Sequence, residues 1–210
     1  MKKILIYGDS NVWGDNFFTG VRLEDEKQWS NILQTKLGSD YKIIQEGLPG
    51  RLAGNDEVDK PYKNGKSTFV STFRTSSPVD IVIIALGTND LQVKYKKTSN
   101  QIVNDLMWYK HSILEQFSDL DDQKKYFVKE KLPRIIYVLP PRFDYLAGAK
   151  GIFDENSENI RVSLKSLFTS KSDDEVLALD ELPLVDDGIH LSEEGHKILA
   201  DLVEGVIKDE

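Results

Sequence analysis

The sequence contains no cysteine and only three histidines among its 210 residues. Without cysteine there are no disulfides, no thiolate catalysis and no cysteine–zinc sites. The histidine pairs that usually mark a zinc site are missing as well. We therefore expect no metal and no other cofactor.

Long apolar stretches are also missing. No uninterrupted apolar run is long enough to cross a membrane. Only four strongly apolar or aromatic residues stand between Met-Lys-Lys and Gly8, too few for the apolar region of a signal peptide. We therefore predict a soluble, cytoplasmic protein, provided that no targeting segment has been removed.

Basic residues are fewer than acidic residues. The chain has 27 lysines and arginines and 35 aspartates and glutamates, which gives a formal net charge of −8 at pH 7. Nucleic acids and anionic membranes bind basic surfaces, so we expect neither as a partner. Hydrophobic residues make up 40 % of the chain, too many for a disordered protein. The length suits one domain with a full core, and we predict a single domain covering residues 1–210.

Short apolar runs alternate with amphipathic segments along the chain. Strands are predicted at residues 3–7, 41–45, 80–86, 134–139 and 176–179. Helices are predicted at residues 25–37, 99–117, 154–169 and 193–208, with a further helix through Phe69 and Phe73. The charged segment 119–131 is predicted to be a solvated helix extension or insertion, and residues 141–153 a mobile loop.

The alternation predicts an α/β fold, with about five parallel strands and helices on both faces of the sheet. In such a sheet the ligand binds beyond the carboxyl ends of the strands, near the point where strand order reverses. The turns that carry Ser10, Gly50 and Asn89 each follow a predicted strand. We therefore expect these turns to face one crevice.

The turn after the first predicted strand carries a serine, in the run Gly8-Asp9-Ser10-Asn11. A serine at this place is held by rigid backbone and can still expose its hydroxyl. To act as a nucleophile it needs a base, a group that orients the base, and donors for the oxyanion. The ordinary α/β-hydrolase pattern Gly-x-Ser-x-Gly does not fit, because Asn11 and Val12 follow Ser10.

His190 is the candidate base. It lies three residues after Asp187 on a glycine-containing turn, a spacing that can let the carboxylate reach one ring nitrogen while the other faces outward. An isolated Asp-x-x-His is better explained by a capped turn. Here it follows the fifth predicted strand, at the sheet edge that carries Ser10, which favours the catalytic interpretation. Asp186 competes with Asp187 for the orienting role.

The other two histidines are explained without catalysis. His111 lies in the middle of the long helix, and we predict a structural or solvent-facing role. His196 lies inside the last helix, where we predict local hydrogen bonds. Asp9 is likewise predicted to have a structural role, as a helix cap or turn former.

Three groups are candidates to donate hydrogen bonds to an oxyanion: the backbone N–H of Ser10, the backbone N–H of Gly50 and the side-chain amide of Asn89. Asparagine after a buried strand also serves as an ordinary turn residue. A glycine in the second loop is equally explained by backbone shape alone.

Four blocks of the sequence together resemble the SGNH hydrolases, also called the GDSL esterase/lipase family. The blocks are Gly8-Asp9-Ser10-Asn11, Glu46-Gly47-Leu48-Pro49-Gly50-Arg51, Gly87-Thr88-Asn89-Asp90 and Asp187-Gly188-Ile189-His190-Leu191-Ser192. They occur in the family's order over most of the chain, which makes the match specific. The run Gly-Asp-Ser-Asn-Val-Trp-Gly is similar to the arylesterase branch. Asn11 departs from the family, which often has leucine there, and Glu46 stands near the place of a frequent asparagine.

The resemblance implies a flavodoxin-like three-layer sandwich and a role for each matched residue. It makes Ser10 the nucleophile and first oxyanion donor, with Gly50 and Asn89 as the second and third donors. It makes His190 the base and Asp187 the residue that orients the base. Members of the arylesterase branch cleave short acyl esters, and some transfer the acyl group to alcohols.

We therefore predict a serine esterase that forms an acyl-serine intermediate on a small-molecule ester. A small ester, an acetylated carbohydrate and a lysophospholipid are all open as substrates. Aromatic loop residues are candidates for an apolar acyl pocket, with core or interface packing as the alternative for each: Trp13, Phe17, Phe18, Phe143 and Tyr145. Exposed aromatic side chains on loops are also compatible with a homo-oligomer.

Other functions stay open beside hydrolysis. One is a module of the same fold that binds a carbohydrate or acyl ligand without turning it over. Another is an acyltransferase. A flavodoxin-like cofactor or phosphate binder is disfavoured, because Gly8 and Gly14 are too sparse for a phosphate-binding loop such as Gly-x-x-x-x-Gly-Lys-Ser/Thr.

Overall fold

The computed structural model describes residues 1–55, 60–129, 131–148 and 151–209. The sheet strands are β1 (Lys2–Gly8), β2 (Tyr41–Gly47), β3 (Ile81–Ala85), β4 (Arg134–Val138) and β5 (Glu175–Leu177). The helices are α1 (Ser10–Trp13), α2 (Trp29–Leu37), α3 (Gly65–Ser76), α4 (Ser99–Gln116), α5 (Leu120–Tyr126), α6 (Glu155–Lys171) and α7 (Glu193–Lys208). A small antiparallel hairpin pairs Asp15–Asn16 with Val21–Arg22.

The five strands are parallel and lie in the order β2-β1-β3-β4-β5. The chain crosses from β1 to β2 on one side and then returns to β3 on the other, so strand order reverses at β1. In the register of the sheet, Gly8 is paired with Gly47 of β2 and with Ala85 of β3. Because these three strands end at one level, the turns that follow them leave the sheet side by side. The predicted sheet, with helices on both faces, is confirmed.

The apolar run of β1 contributes side chains to the hydrophobic cores on both faces of the sheet. Leu5 and Tyr7 pack in one core with α3, α4 and α6. Ile4 and Ile6 pack in the other core with α2 and α7. A continuous apolar strand is the pattern expected where a parallel sheet is covered on both sides, and this burial fixes the level at which Gly8 and Ser10 emerge.

The helix boundaries follow their capping residues. Helix α4 begins at Ser99, and Thr98 is its N-cap, in a capping box with Gln101. Ser192 caps α7 by accepting a hydrogen bond from the Gly195 N–H. Part of the charged segment after α4 forms α5, and the loop predicted at residues 141–153 forms turns where it is described. Among the described residues, no helix combines the length and apolar character that a membrane crossing requires.

Candidate active site

Ser10 opens a one-turn helix directly beyond the end of β1. The Asp9 carboxylate caps this helix by accepting a hydrogen bond from the Asn11 N–H at 3.0 Å. Gly14 closes it in the left-handed conformation, with a φ of 82°. The Ser10 side chain is held at the helix N-terminus, and the residue is only 7 % exposed. The structural role predicted for Asp9 agrees with this cap.

Gly8 allows the helix to lie close over the sheet. A Cβ atom at Gly8 would meet Val12 Cγ2 at 2.2 Å and the Ala85 carbonyl oxygen at 2.7 Å. Real Cβ atoms do not come this close to other heavy atoms, so any side chain here would push α1 away from β3. The glycine before Asp9 and Ser10 is therefore a steric requirement of this turn.

A hydrogen-bonded series joins Asp187, His190 and Ser10. Asp187 Oδ2 lies 2.5 Å from His190 Nδ1, and His190 Nε2 lies 2.9 Å from Ser10 Oγ. The other oxygen of Asp187, Oδ1, accepts hydrogen bonds from the N–H groups of Ile189 and His190, at 2.8 and 2.9 Å. Of the two competing aspartates, it is therefore Asp187 that contacts the imidazole, and both of its carboxylate oxygens are held by the turn.

The carboxylates around His190 set its protonation. Burial lowers the pKa of His190, but the hydrogen bond and charge of Asp187, with the charges of Asp15 and Asp9, outweigh burial and raise the pKa above 6.5. Burial raises the pKa of Asp187, but the hydrogen bonds from His190 and from the turn's backbone N–H groups bring it below its usual value. Asp15 Oδ2 lies 4.0 Å from His190 Nε2. The imidazole can therefore accept a proton and is stabilised once it carries one.

The pKa of Asp9 is shifted in the opposite direction to that of Asp187. Burial raises its pKa to about 6, and the hydrogen bond from Asn11 and the positive charges of His190 and Arg51 offset this only in part. Asp9 is buried directly behind the Ser10 turn. Its side chain therefore caps the helix and takes up a proton at a higher pH than Asp187 does.

Gly50 lies in a tight turn after β2. The Arg51 N–H donates to the Leu48 carbonyl at 3.0 Å, and Gly50 has a φ of 76°. Pro49 followed by glycine with positive φ is the pattern of a type II turn. A Cβ at Gly50 would meet Lys63 Nζ at 2.6 Å. No described residue accepts a hydrogen bond from the Gly50 N–H.

Asn89 begins a single 3₁₀ turn after β3, Asn89–Leu91. Its Nδ2 donates to the Arg51 carbonyl at 3.1 Å, and its Oδ1 accepts from Gln92 Nε2 at 2.9 Å. A side-chain amide has two N–H donors. These contacts fix the plane of the Asn89 amide, and they pair one of its two N–H donors with a described residue.

Arg51 joins three of the sequence blocks, a function that the sequence alone did not indicate. Its NH1 donates to the Gly8 carbonyl at 2.9 Å and to the Glu46 carbonyl at 2.5 Å. Its guanidinium lies 4.0 Å from the centre of the Tyr7 ring. Its own carbonyl accepts from Asn89. The position of Arg51 directly after Gly50 was the one available signal, and it does not reveal contacts with residues so distant in the chain.

A buried ion pair holds the third block. The Asp90 carboxylate accepts from the Ala53 N–H at 2.7 Å and from Lys97 Nζ at 2.6 Å. Lys97 also contacts Asp105 on α4, at 2.7 Å. Burial raises the pKa of Asp90, and the charge and hydrogen bond of Lys97 act against this rise. The network fixes the turn of Asn89 to the loop that follows Gly50.

The residues predicted to bind substrate differ in exposure. Trp13 is partly exposed, with the Arg22 guanidinium 5.9 Å from its ring centre. Tyr145 is partly buried and packs against the core. Phe143 is 3 % exposed and packs against Phe153, with ring centres 4.6 Å apart. This burial agrees with core packing, the alternative given for Phe143, and its role in substrate binding stays a prediction. Phe17 and Phe18, the other two candidates for the acyl pocket, are exposed on the hairpin and contact each other.

Within the described part of the chain, no group of three or more histidine, aspartate or glutamate side chains is arranged to hold a metal ion. The chemistry available at this site comes from a hydroxyl, an imidazole, a carboxylate and uncharged N–H donors. A serine of this kind, at the strand-order reversal of a 2-1-3-4-5 sheet, defines the class of SGNH hydrolases.

Comparisons with known proteins agree with this class. A carbohydrate acetylesterase from Sinorhizobium meliloti has a similar structure, with a TM-score of 0.85, 26 % identity, and coverage of 99 % of this chain and 98 % of that chain. The inhibitor-bound form of the aryl esterase of M. smegmatis is also similar, with a TM-score of 0.83, 25 % identity and coverage of 99 % of each chain. A lipase/acylhydrolase from Enterococcus faecalis, with a TM-score of 0.68, 20 % identity and coverage of 99 % and 96 %, supports the fold alone. No curated protein matches the chain.

The chain matches the model of the GDSL-like lipase/acylhydrolase family over residues 4–203, and it belongs to that family. Together with the esterase neighbours, this membership makes the protein a carboxylic ester hydrolase.

Proposed function

We propose that the protein cleaves short acyl esters of small molecules through an acyl-serine intermediate on Ser10. The Ser10 hydroxyl attacks the ester carbonyl while His190 Nε2 takes its proton. The Asp187 carboxylate orients the ring and stabilises the imidazolium that forms. His190 then gives its proton to the leaving alkoxide, and the acyl group stays on Ser10. Water attacks the acyl-enzyme and loses a proton to His190, which returns that proton to Ser10 as the acid departs.

The oxyanion formed in each step receives hydrogen bonds from the N–H groups of Ser10, Gly50 and Asn89. The free Gly50 N–H and the second N–H of the Asn89 amide support this assignment. Both donors are fixed before substrate binds, which is the condition under which such donors lower a barrier most. Arg51 connects them, since it follows Gly50 and binds Asn89 through its carbonyl.

The observation that carries the proposal is the series Asp187–His190–Ser10, with both links at hydrogen-bond distance. The similarity to a carbohydrate acetylesterase and to an aryl esterase favours an acetyl or comparably short acyl group. A ligand-binding module without turnover has no need for an imidazole aimed at the hydroxyl.

The direct test is turnover of p-nitrophenyl acetate by the wild type and by Ser10→Ala. Loss of the nucleophile should lower kcat on the order of 10⁶-fold. Ser39→Ala, at an exposed serine, is the matched control and should keep wild-type turnover. Turnover in Ser10→Ala close to that of the control would refute the proposal. A wild type that binds the ester but neither hydrolyses it nor reacts with a fluorophosphonate would instead support the binding module.

Two further measurements would identify the preferred substrate and the type of reaction. A panel of p-nitrophenyl esters of rising acyl-chain length, with Ser10→Ala as the blank, gives the size of the acyl pocket. Adding an alcohol to the reaction separates hydrolysis from acyl transfer, because a transferase forms the new ester in competition with water.

A further inference from the structure

The catalytic geometry proposed above depends on contact between opposite ends of the chain. Ser10 lies at the start of α1, and His190 lies on the turn before α7, 180 positions later. The side chain of Asn11 spans the junction between them. Its Oδ1 accepts a hydrogen bond from the Leu191 N–H at 2.9 Å, and its Nδ2 lies 3.5 Å from the Ile189 carbonyl oxygen. The Asn11 amide therefore contacts the residue before His190 and the residue after it.

We infer that Asn11 is a positioning residue that holds the His190 turn in register with the nucleophile. This inference rests on the proposed function. The contact requires an acceptor and a donor at fixed separation, which a side-chain amide offers as an oxygen and a nitrogen bonded to the same carbon. Leucine, the frequent residue of the family at this place, has neither. The Asn11 backbone is itself anchored, because its N–H donates to the Asp9 carboxylate at 3.0 Å.

The other hydrogen bonds of the His190 turn fix its shape and attach it elsewhere. The Val185 N–H donates to the His190 carbonyl at 2.9 Å, and the Asp144 N–H donates to the Gly188 carbonyl at 2.8 Å. Neither contact reaches α1. Apart from the His190–Ser10 contact itself, the Asn11 side chain therefore makes the hydrogen bonds that join this turn to α1 in the described part of the chain.

Apolar packing separates this positioning role from a general role in folding. Leu191 is 3 % exposed and belongs to the core cluster of α2 and α7, together with Val12. This packing keeps the turn folded against the sheet when the amide is lost. Removal of the Asn11 amide should therefore shift the imidazole relative to the hydroxyl and leave the fold in place.

The experiment compares Asn11→Leu and Asn11→Asp with the wild type, using p-nitrophenyl acetate. In Asn11→Leu, kcat should fall about 10- to 100-fold, because a small displacement of a catalytic group has costs of this order. KM should change by less than about threefold, since the amide contacts the protein and not the substrate. The rate at which a fluorophosphonate labels Ser10 should fall by the same factor as kcat. Asn11→Asp keeps the acceptor for the Leu191 N–H and should lose less.

Asn104→Leu, at an exposed position of α4, makes the same substitution away from the site and should keep wild-type kcat and labelling. A folded Asn11→Leu protein with kcat within about twofold of this control would overturn the inference. A change confined to KM, or an Asn11→Asp variant as impaired as Asn11→Leu, would also overturn it. A wild type without turnover and without labelling would refute the proposed function itself, a result that is separate from both of these.

Discussion

His190 and His196 stand on either side of the start of α7, in opposite environments. Carboxylates surround His190, and they raise its pKa above 6.5 despite partial burial. His196 is 1 % exposed, and burial, with the nearby charge of His190, lowers its pKa to about 4. One imidazole is placed to take up a proton, and the other is kept neutral.

The neutral ring of His196 has a structural use. Its Nδ1 accepts a hydrogen bond at 3.3 Å from the N–H of Trp29, the first residue of α2. The N-cap of that helix, Gln28, provides no side-chain cap. An N–H at a helix start needs an acceptor, and protonation of His196 would remove it. The local hydrogen bonds predicted for His196 are thus replaced by a contact between two helices. Burial alone therefore does not determine whether a histidine can take up a proton, because the charges around the ring also shift its pKa.

The contrast is tested most strongly by replacing each histidine in turn. His190→Ala should lower kcat for p-nitrophenyl acetate on the order of 10⁶-fold, because the base acts with Ser10 as a unit. His196→Gln keeps an acceptor near the Trp29 N–H, and its kcat should stay within about threefold of wild type. Comparable losses in the two variants would remove the distinction between them.

The oxyanion side of the site gives the next largest effect. Asn89→Ala should lower kcat by about 10²–10³-fold, the usual loss for one oxyanion donor, with the fold retained. Circular dichroism checks the fold, and steady-state kinetics measures kcat. An unchanged kcat in a folded Asn89→Ala protein would exclude the amide from the site.

His196 should also make stability depend on pH. Its pKa is about 4 in the folded protein and near 6.5 when unfolded, so between these values the unfolded chain binds more protons. The free energy of unfolding should therefore fall as pH drops from about 6.5 towards 4, by up to about 3 kcal/mol from this group. Urea unfolding of wild type and His196→Gln at several pH values measures the difference. Parallel pH profiles for the two proteins would contradict the neutral, buried ring.

Asp15 provides the smallest change and the finest test of the charges around His190. Its carboxylate favours the protonated imidazole, so Asp15→Asn should lower the pKa of His190. The acid limb of the kcat/KM profile, which reports the free base, should then move to lower pH. Asp40→Asn, at an exposed residue, is the control and should leave the limb in place. A shift to higher pH, or no shift, would show that Asp15 does not act on the base.

The parts of the molecule that sequence predicts well are those set by neighbours in the chain. The strand of Ile4 to Tyr7 and the turn of Ser10 follow from a local apolar run that ends in glycine. The relation of Asp187 to His190 follows from a spacing of three residues. Each of these features was visible without knowledge of distant contacts.

The features that sequence did not reveal depend on residues far apart in the chain. Arg51 binds the carbonyl of Gly8, and Lys97 pairs with Asp90 beneath the Asn89 turn. Neither has a spacing or composition that marks it. For Phe143 the sequence left an acyl pocket and core packing both open, and the structure packs this ring on Phe153. Long-range packing determines the contacts of such side chains, and the pattern of residue types along the sequence does not reveal that packing.

The central claim is that His190 activates Ser10. It is tested most directly by the rate of fluorophosphonate labelling as a function of pH, with the modified peptide located by mass spectrometry. The expected result is a single label on Ser10, formed at a rate that rises with pH through a pKa above 6.5 and is lost in His190→Ala. Labelling of Ser10 at the same rate in His190→Ala, or no labelling of the wild type at any pH, would contradict the claim.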